Sequence, residues 1–86
     1  MIPKIIYTPA LKKEYKKLPK KIKFIAEQKE KLFRKNPFNP ILDTHKLHGR
    51  LYEFWSFSIT DKYRIIFEFK EKNIVNFHSV GTHEIY

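Results

Sequence analysis

The breaker cluster Asn36-Pro37-Phe38-Asn39-Pro40 splits the chain into two stretches whose apolar residues recur at different periods. Ahead of it the period is helical. Thr8-Pro9 reads as an N-cap followed by proline at the first helical position. Leu11, Tyr15 and Leu18 then share one face, and Leu18-Pro19 ends the helix because proline disfavours the helical backbone in the residue before it. Ile22, Ile25, Ala26, Lys29, Leu32 and Phe33 form the stripe of a second helix. Behind the cluster the period is two. LYEFWSFSIT (51–60) places Leu51, Trp55, Phe57 and Ile59 on one face, with Glu53 as the exception. KYRIIFEFK (62–70) sets Tyr63, Ile65, Phe67 and Phe69 against Arg64, Ile66 and Glu68. Asp61-Lys62 and Glu71-Lys72-Asn73 supply turns, and NIVNFHSV is the last strand. IPKIIYT (2–8) is a first strand, and ILDTHKLHG continues from the breaker as a loop or short turn. The expected class is α+β. An N-terminal strand and a helical hairpin precede a three-stranded antiparallel meander, giving one small antiparallel sheet packed by two helices.

Eighty-six residues point to one domain spanning 1–86. The chain has no cysteine, which excludes a disulfide framework and thiolate metal sites. No apolar run reaches membrane-spanning length and no leader-like stretch opens the chain, so a cytoplasmic protein with no membrane partner is expected. The net charge is +9. Residues 1–35 hold twelve Lys or Arg against Glu14, Glu27 and Glu30, whereas residues 36–86 hold six of each sign. A basic surface confined to the helical half fits a polyanion partner, and a lysine-rich composition alone is the plainer reading.

Serine-nucleophile patterns, a glycine-rich phosphate loop and paired carboxylates are missing, and only Gly49 and Gly81 occur. The residues left for chemistry are His, Arg, Lys and Tyr. That set suits RNA cleavage by acid–base catalysis, because RNA carries its own 2′-hydroxyl nucleophile and cations can hold the developing charge. His45 and His48 flank THKLHG, His78 lies inside the last strand as a packed or solvated residue, and His83 follows it in SVGTHEIY. The spacing lacks a zinc signature, so no metal or small-molecule cofactor is expected. Arg64, in mid-strand, requires an anionic partner; Glu68 on its face and a phosphate are both open.

THKLHG, FWSFSITDKYRIIFEF and VGTHEIY, in that order, resemble the RelE/ParE superfamily of toxins, and within it the RelE/StbE and YafQ-like mRNA interferases. The resemblance covers nearly the whole chain. It implies a RelE-like fold, metal-free cleavage of mRNA in the ribosomal decoding site, and silencing by a cognate antitoxin. It makes His83 and His45 the proton-transfer residues, Arg64 the phosphate contact and Tyr86 an aromatic that contacts the substrate. Trp55 matches a tryptophan of YoeB-like members and is read first as packing. The chain departs from its relatives on the second strand. Trp55 and Phe57 stand in place of RelE lysines, Phe57 and Ser58 in place of a YoeB arginine pair, and Ser58 and Lys62 in place of a YafQ histidine and aspartate. Lys46, Arg50 and Lys62 are the substrate-binding cations that would supply the missing charge.

Two other readings stay open: a ParE-like inhibitor of DNA gyrase that cuts nothing, and an RNA-binding relative without turnover. Docking of a lysine-rich surface on RNA is electrostatic, so affinity is expected to fall by at least about tenfold between roughly 50 and 200 mM salt. Filter binding or anisotropy across that range checks this, and a flat salt dependence would remove electrostatic docking.

Overall fold

The computed structural model describes residues 4–49 and 53–82. Its elements in chain order are β1 (Lys4–Tyr7), α1 (Pro9–Lys16), α2 (Lys20–Lys35), a 3-10 turn (Pro40–Leu42), β2 (His45–Lys46), β3 (Trp55–Ser58), β4 (Tyr63–Glu71) and β5 (Ile74–Thr82). The α+β class and the helical hairpin are as expected. The sheet differs in two respects. It is five-stranded and mixed, in the order β1-β5-β4-β3-β2, because β1 runs parallel to β5 at the edge. The stretch expected to be a loop or short turn after the breaker contributes the 3-10 turn and the two-residue β2.

Local chemistry sets the helix ends. The Thr8 hydroxyl accepts from the Leu11 amide at 3.1 Å and donates to the His78 carbonyl at 2.8 Å, so the N-cap of α1 also ties the helix to β5. Lys17 caps α1, and Pro19 separates it from α2. Asn39 starts the 3-10 turn by accepting from the Ile41 amide. The strand read over 51–60 is confined to Trp55–Ser58; residues 51 and 52 lie outside the described set. The β3–β4 connection runs from Ile59 to Lys62, longer than Asp61-Lys62, and its Thr60 hydroxyl accepts from the Lys62 and Tyr63 amides. Lys72-Asn73 closes β4 on β5, with Asn73 at φ 70°.

Phe33 of α2 is fully buried at the centre of the core. Its ring stacks on Phe57 of β3 at 4.8 Å and meets Phe67 of β4 and Phe77 of β5 edge-on at 4.9 and 5.3 Å. Between Ile66 and Phe67 the β4–β5 register shifts: Ile66 pairs with Ser79 but Phe67 with Phe77. His78 is the extra residue of a β-bulge, which explains why Phe77 and Val80, three apart, both enter the core. Beyond Phe77 the edge of β5 has no β1 partner. Side chains of the first helix and its cap take over, Thr8 on the His78 carbonyl and Glu14 on the Val80 amide at 3.0 Å.

At the far end of α2 the Tyr7 hydroxyl donates to Glu30 at 2.8 Å, with Arg34 close to both. Burial first, and then the Glu30 carboxylate, hold the Tyr7 hydroxyl above its ordinary pKa of 10.0. A pKa raised on folding gives stability that is complete below pH 10 and is lost as pH climbs through the raised value. Thermal unfolding should therefore show wild type losing stability above pH 10 more steeply than Tyr7→Phe. Phe33→Ala removes the ring on which three strands meet and should cost about 3–5 kcal/mol in urea unfolding.

Candidate active site

The alternation that sends Phe57, Ile65, Phe67 and Phe77 toward the helices sends their neighbours to the opposite face. There the register pairs His45 with Ser56, Ser56 with Ile66, and Ile66 with Ser79. One step along, Ser58 pairs with Arg64, and Arg64 with Gly81. Cross-strand partners share a face, so His45, Ser56, Ser58 and Arg64 form one group.

Arg64 lies low in this face. Its Nε and Nη1 are buried and have no hydrogen-bond partner among the described residues. Only Nη2 meets an anion, Asp43 Oδ2 at 3.5 Å. Glu68, the partner that the strand pattern offered, is engaged elsewhere. It accepts from Asn76 at 3.1 Å and lies 3.8 Å from His78 Nε2. Same-face spacing along one strand separates residues i and i+4 by about 13 Å, too far for an ion pair. Asp43, remote in sequence, reaches Arg64 because the 3-10 turn carries it over the end of the sheet.

His45 is exposed on β2, and its Nδ1 lies 3.1 Å from the Asp43 carbonyl. A carbonyl oxygen only accepts, so Nδ1 carries the proton and the lone pair of neutral His45 sits on Nε2. That Nε2 is 3.5 Å from the hydroxyl of buried Ser56. Asp43 thus touches both candidate groups, its carboxylate Arg64 and its carbonyl His45. It does so from a left-handed backbone, φ 49° and ψ 46°, at the end of the 3-10 turn.

The remaining candidates separate. Lys46 pairs with Trp55, on the face away from His45. Lys62 is exposed in the β3–β4 connection, two residues before Arg64, and His48 is exposed beyond β2. His78 is half-buried, edge-on to Phe54 at 4.7 Å. Trp55 packs edge-on with Phe38 and Phe69, as the packing reading holds. Arg50, His83 and Tyr86 lie outside the described residues. Asp43 and Ser56 were not singled out from sequence. The only signal for Ser56 is its alternation in Trp55-Ser56-Phe57-Ser58, which places small polar residues on one face of a strand.

Among the described residues no three His, Asp or Glu side chains converge as a metal site would require. A cavity of about 530 Å³ lies on the helix side, lined by Tyr7, Leu11, Tyr15, Ile65 and Phe77. It is apolar and contains none of the candidate residues.

The sequence from residue 5 to residue 85 matches the family described as the ParE toxin of the type II toxin-antitoxin system parDE. The chain belongs to this toxin family. No curated protein sequence matches it. Among solved structures it is similar to YafQ from E. coli strain BL21(DE3), with TM-score 0.78 and 19% identity over 94% of this chain and 93% of that one. The E. coli DinJ-YafQ toxin-antitoxin complex gives TM-score 0.78 at 19% identity, over 99% and 97%. The YoeB-YefM complex from Staphylococcus aureus gives 0.76 at 22%, over 92% and 94%. At these identities the likeness establishes the RelE/ParE fold.

Proposed function

We propose that this toxin is an endoribonuclease that cuts mRNA on the ribosome by attack of the RNA 2′-hydroxyl, leaving a 2′,3′-cyclic phosphate. The observation that carries the reading is Arg64, with two buried, unpartnered guanidinium nitrogens on the sheet face turned away from the helices. Desolvated donors of this kind recover their lost hydrogen bonds only when an anion with several oxygens arrives, and a phosphodiester is one. His45, on the same face, offers a basic Nε2 as acceptor for the 2′-hydroxyl proton. His83 would protonate the leaving 5′-oxygen, and the ring of Tyr86 would stack on a base, a contact of about 1–3 kcal/mol. Lys62 and Arg50 would add positive charge around the RNA path, whereas Lys46, on the other face of β2, lies away from it. The reading routes no step through a cofactor.

The helical hairpin has the opposite character. Lys12, Lys13, Lys16, Lys17, Lys20 and Lys21 are all exposed along α1 and the start of α2. Such a surface positions a protein on an RNA backbone without reading its sequence. Solved relatives in complex with DinJ and YefM support a cognate antitoxin, and such a partner would cover the basic hairpin or the face that carries Arg64.

Cleavage of a defined mRNA, free and in the decoding site of purified ribosomes, tests the reading. Wild type should cut without added metal and leave cyclic phosphate ends. His83→Ala and His45→Ala should each slow cutting by about 10²–10⁴-fold. The family match to a ParE toxin favours one other reading, inhibition of DNA gyrase. Intact mRNA together with blocked supercoiling would put that reading in its place.

A further inference from the structure

Nη2 of Arg64 is the nitrogen that both bidentate edges of a guanidinium share. The end-on edge is Nη1 with Nη2, and the side-on edge is Nε with Nη2. Asp43 Oδ2 stands at that nitrogen, 3.5 Å away, while Nε and Nη1 stay unpaired. An anion that takes either edge must contact Nη2 and so competes with the carboxylate already there.

We propose that Asp43 is a built-in competitor for the anion seat of Arg64, so that the toxin takes an RNA phosphate only by displacing its own carboxylate. The inference rests on the phosphate reading of Arg64 and adds a restraint to it. Three observations make the displacement feasible. The Asp43 side chain is 69% exposed whereas that of Arg64 is 12% exposed, so the carboxylate can swing into water and the guanidinium cannot. A single long contact with an exposed partner is a weak ion pair. The two unpaired nitrogens are satisfied only when a group with more oxygens replaces a carboxylate held at one point.

The left-handed backbone of Asp43 makes a clean variant available, because asparagine tolerates that conformation nearly as well. Asp43→Asn keeps the backbone carbonyl that faces His45 Nδ1 and removes only the charge. Asp43 is thus a positioning and restraining residue, and its effect belongs in binding rather than in fold.

The test uses the full chain and a 2′-deoxy RNA analogue that cannot be cut, so it does not depend on turnover. Asp43→Asn should bind the analogue about fivefold more tightly than wild type. Glu71→Gln, an equal charge change at the far end of β4, should alter affinity by less than about twofold, because screening confines the effect of an exposed charge. The gain should disappear when Arg64→Gln is combined with Asp43→Asn. The Arg64 Nε–H resonance, titrated with inorganic phosphate, should shift at lower phosphate in Asp43→Asn than in wild type. Equal or weaker analogue binding by Asp43→Asn, a gain that survives Arg64→Gln, or an Arg64 resonance indifferent to phosphate would each overturn the proposal. Tighter binding by Asp43→Asn alongside a wild type that leaves ribosomal mRNA intact would sustain the competitor and sink the nuclease.

Discussion

The packing of Phe33 against one ring from each of three adjacent strands governs both faces of the sheet. Phe57, Phe67 and Phe77 must point toward α2 to reach it. Side chains in a strand alternate, so the same requirement turns Ser56, Ser58, Arg64 and Ile66 to the other face. A slip of one residue between β3 and β4 would either turn Arg64 under the helices in place of Phe67 or turn Phe57 away from them. The cost of that exchange is far larger than anything the site residues contribute, so the core fixes the register on which the site depends. A cluster with no candidate site residue in it thus decides which groups share the face of the candidate site.

The bulge at His78 serves the same end from the last strand. Without it, Val80 would leave the core and Gly81 would leave its place beside Arg64. The extra residue costs ladder pairing with β4, while Thr8 and Glu14 take the other edge of β5 where β1 ends. The first turns of α1 therefore set the path of β5 toward Gly81-Thr82. Any perturbation of the N-cap would be felt at the opposite face of the sheet through one strand.

The two hydrophobic periods were legible because each reflects a stripe that only one kind of element can bury. Proline before α2 and asparagine in the last turn marked boundaries that the structure keeps. The mixed sheet was not legible. Lys4–Tyr7 carries a strand pattern, but nothing in four residues says which edge they join or in which direction. Parallel pairing with β5 follows from the length of the helical hairpin, which returns the chain to the far side of the sheet. Arg64 was recognisable as a cation in need of an anion, and Glu68 was the wrong anion for a simple reason. Periodicity reports which residues share a face but not how far apart they lie on it. The partner, Asp43, comes from a turn whose left-handed geometry has no periodic signature. Pattern reading finds residues that repeat, and Asp43 is not one of them.

Charge is divided as sharply as packing. The exposed lysines gather on the helices, while the opposite side of the sheet holds Arg64 and His45 with Asp43 between them. A site with a strong positive field would hold any polyanion, whether or not it was placed for chemistry. A face whose one buried cation is partly occupied by an internal carboxylate admits a phosphate only when other contacts supply the difference. Under the proposed reading those contacts would come from the lysines of the hairpin, which act without regard to sequence. Coupling a weak, occupied seat to a strong, distant docking surface makes entry depend on both being engaged at once. Under the proposed nuclease reading, the ribosome, which offers RNA backbone and mRNA together, would satisfy that condition, and free RNA would satisfy it poorly. Restraint at Asp43 and attraction at the lysines are then two halves of one preference, selectivity for a substrate presented in place.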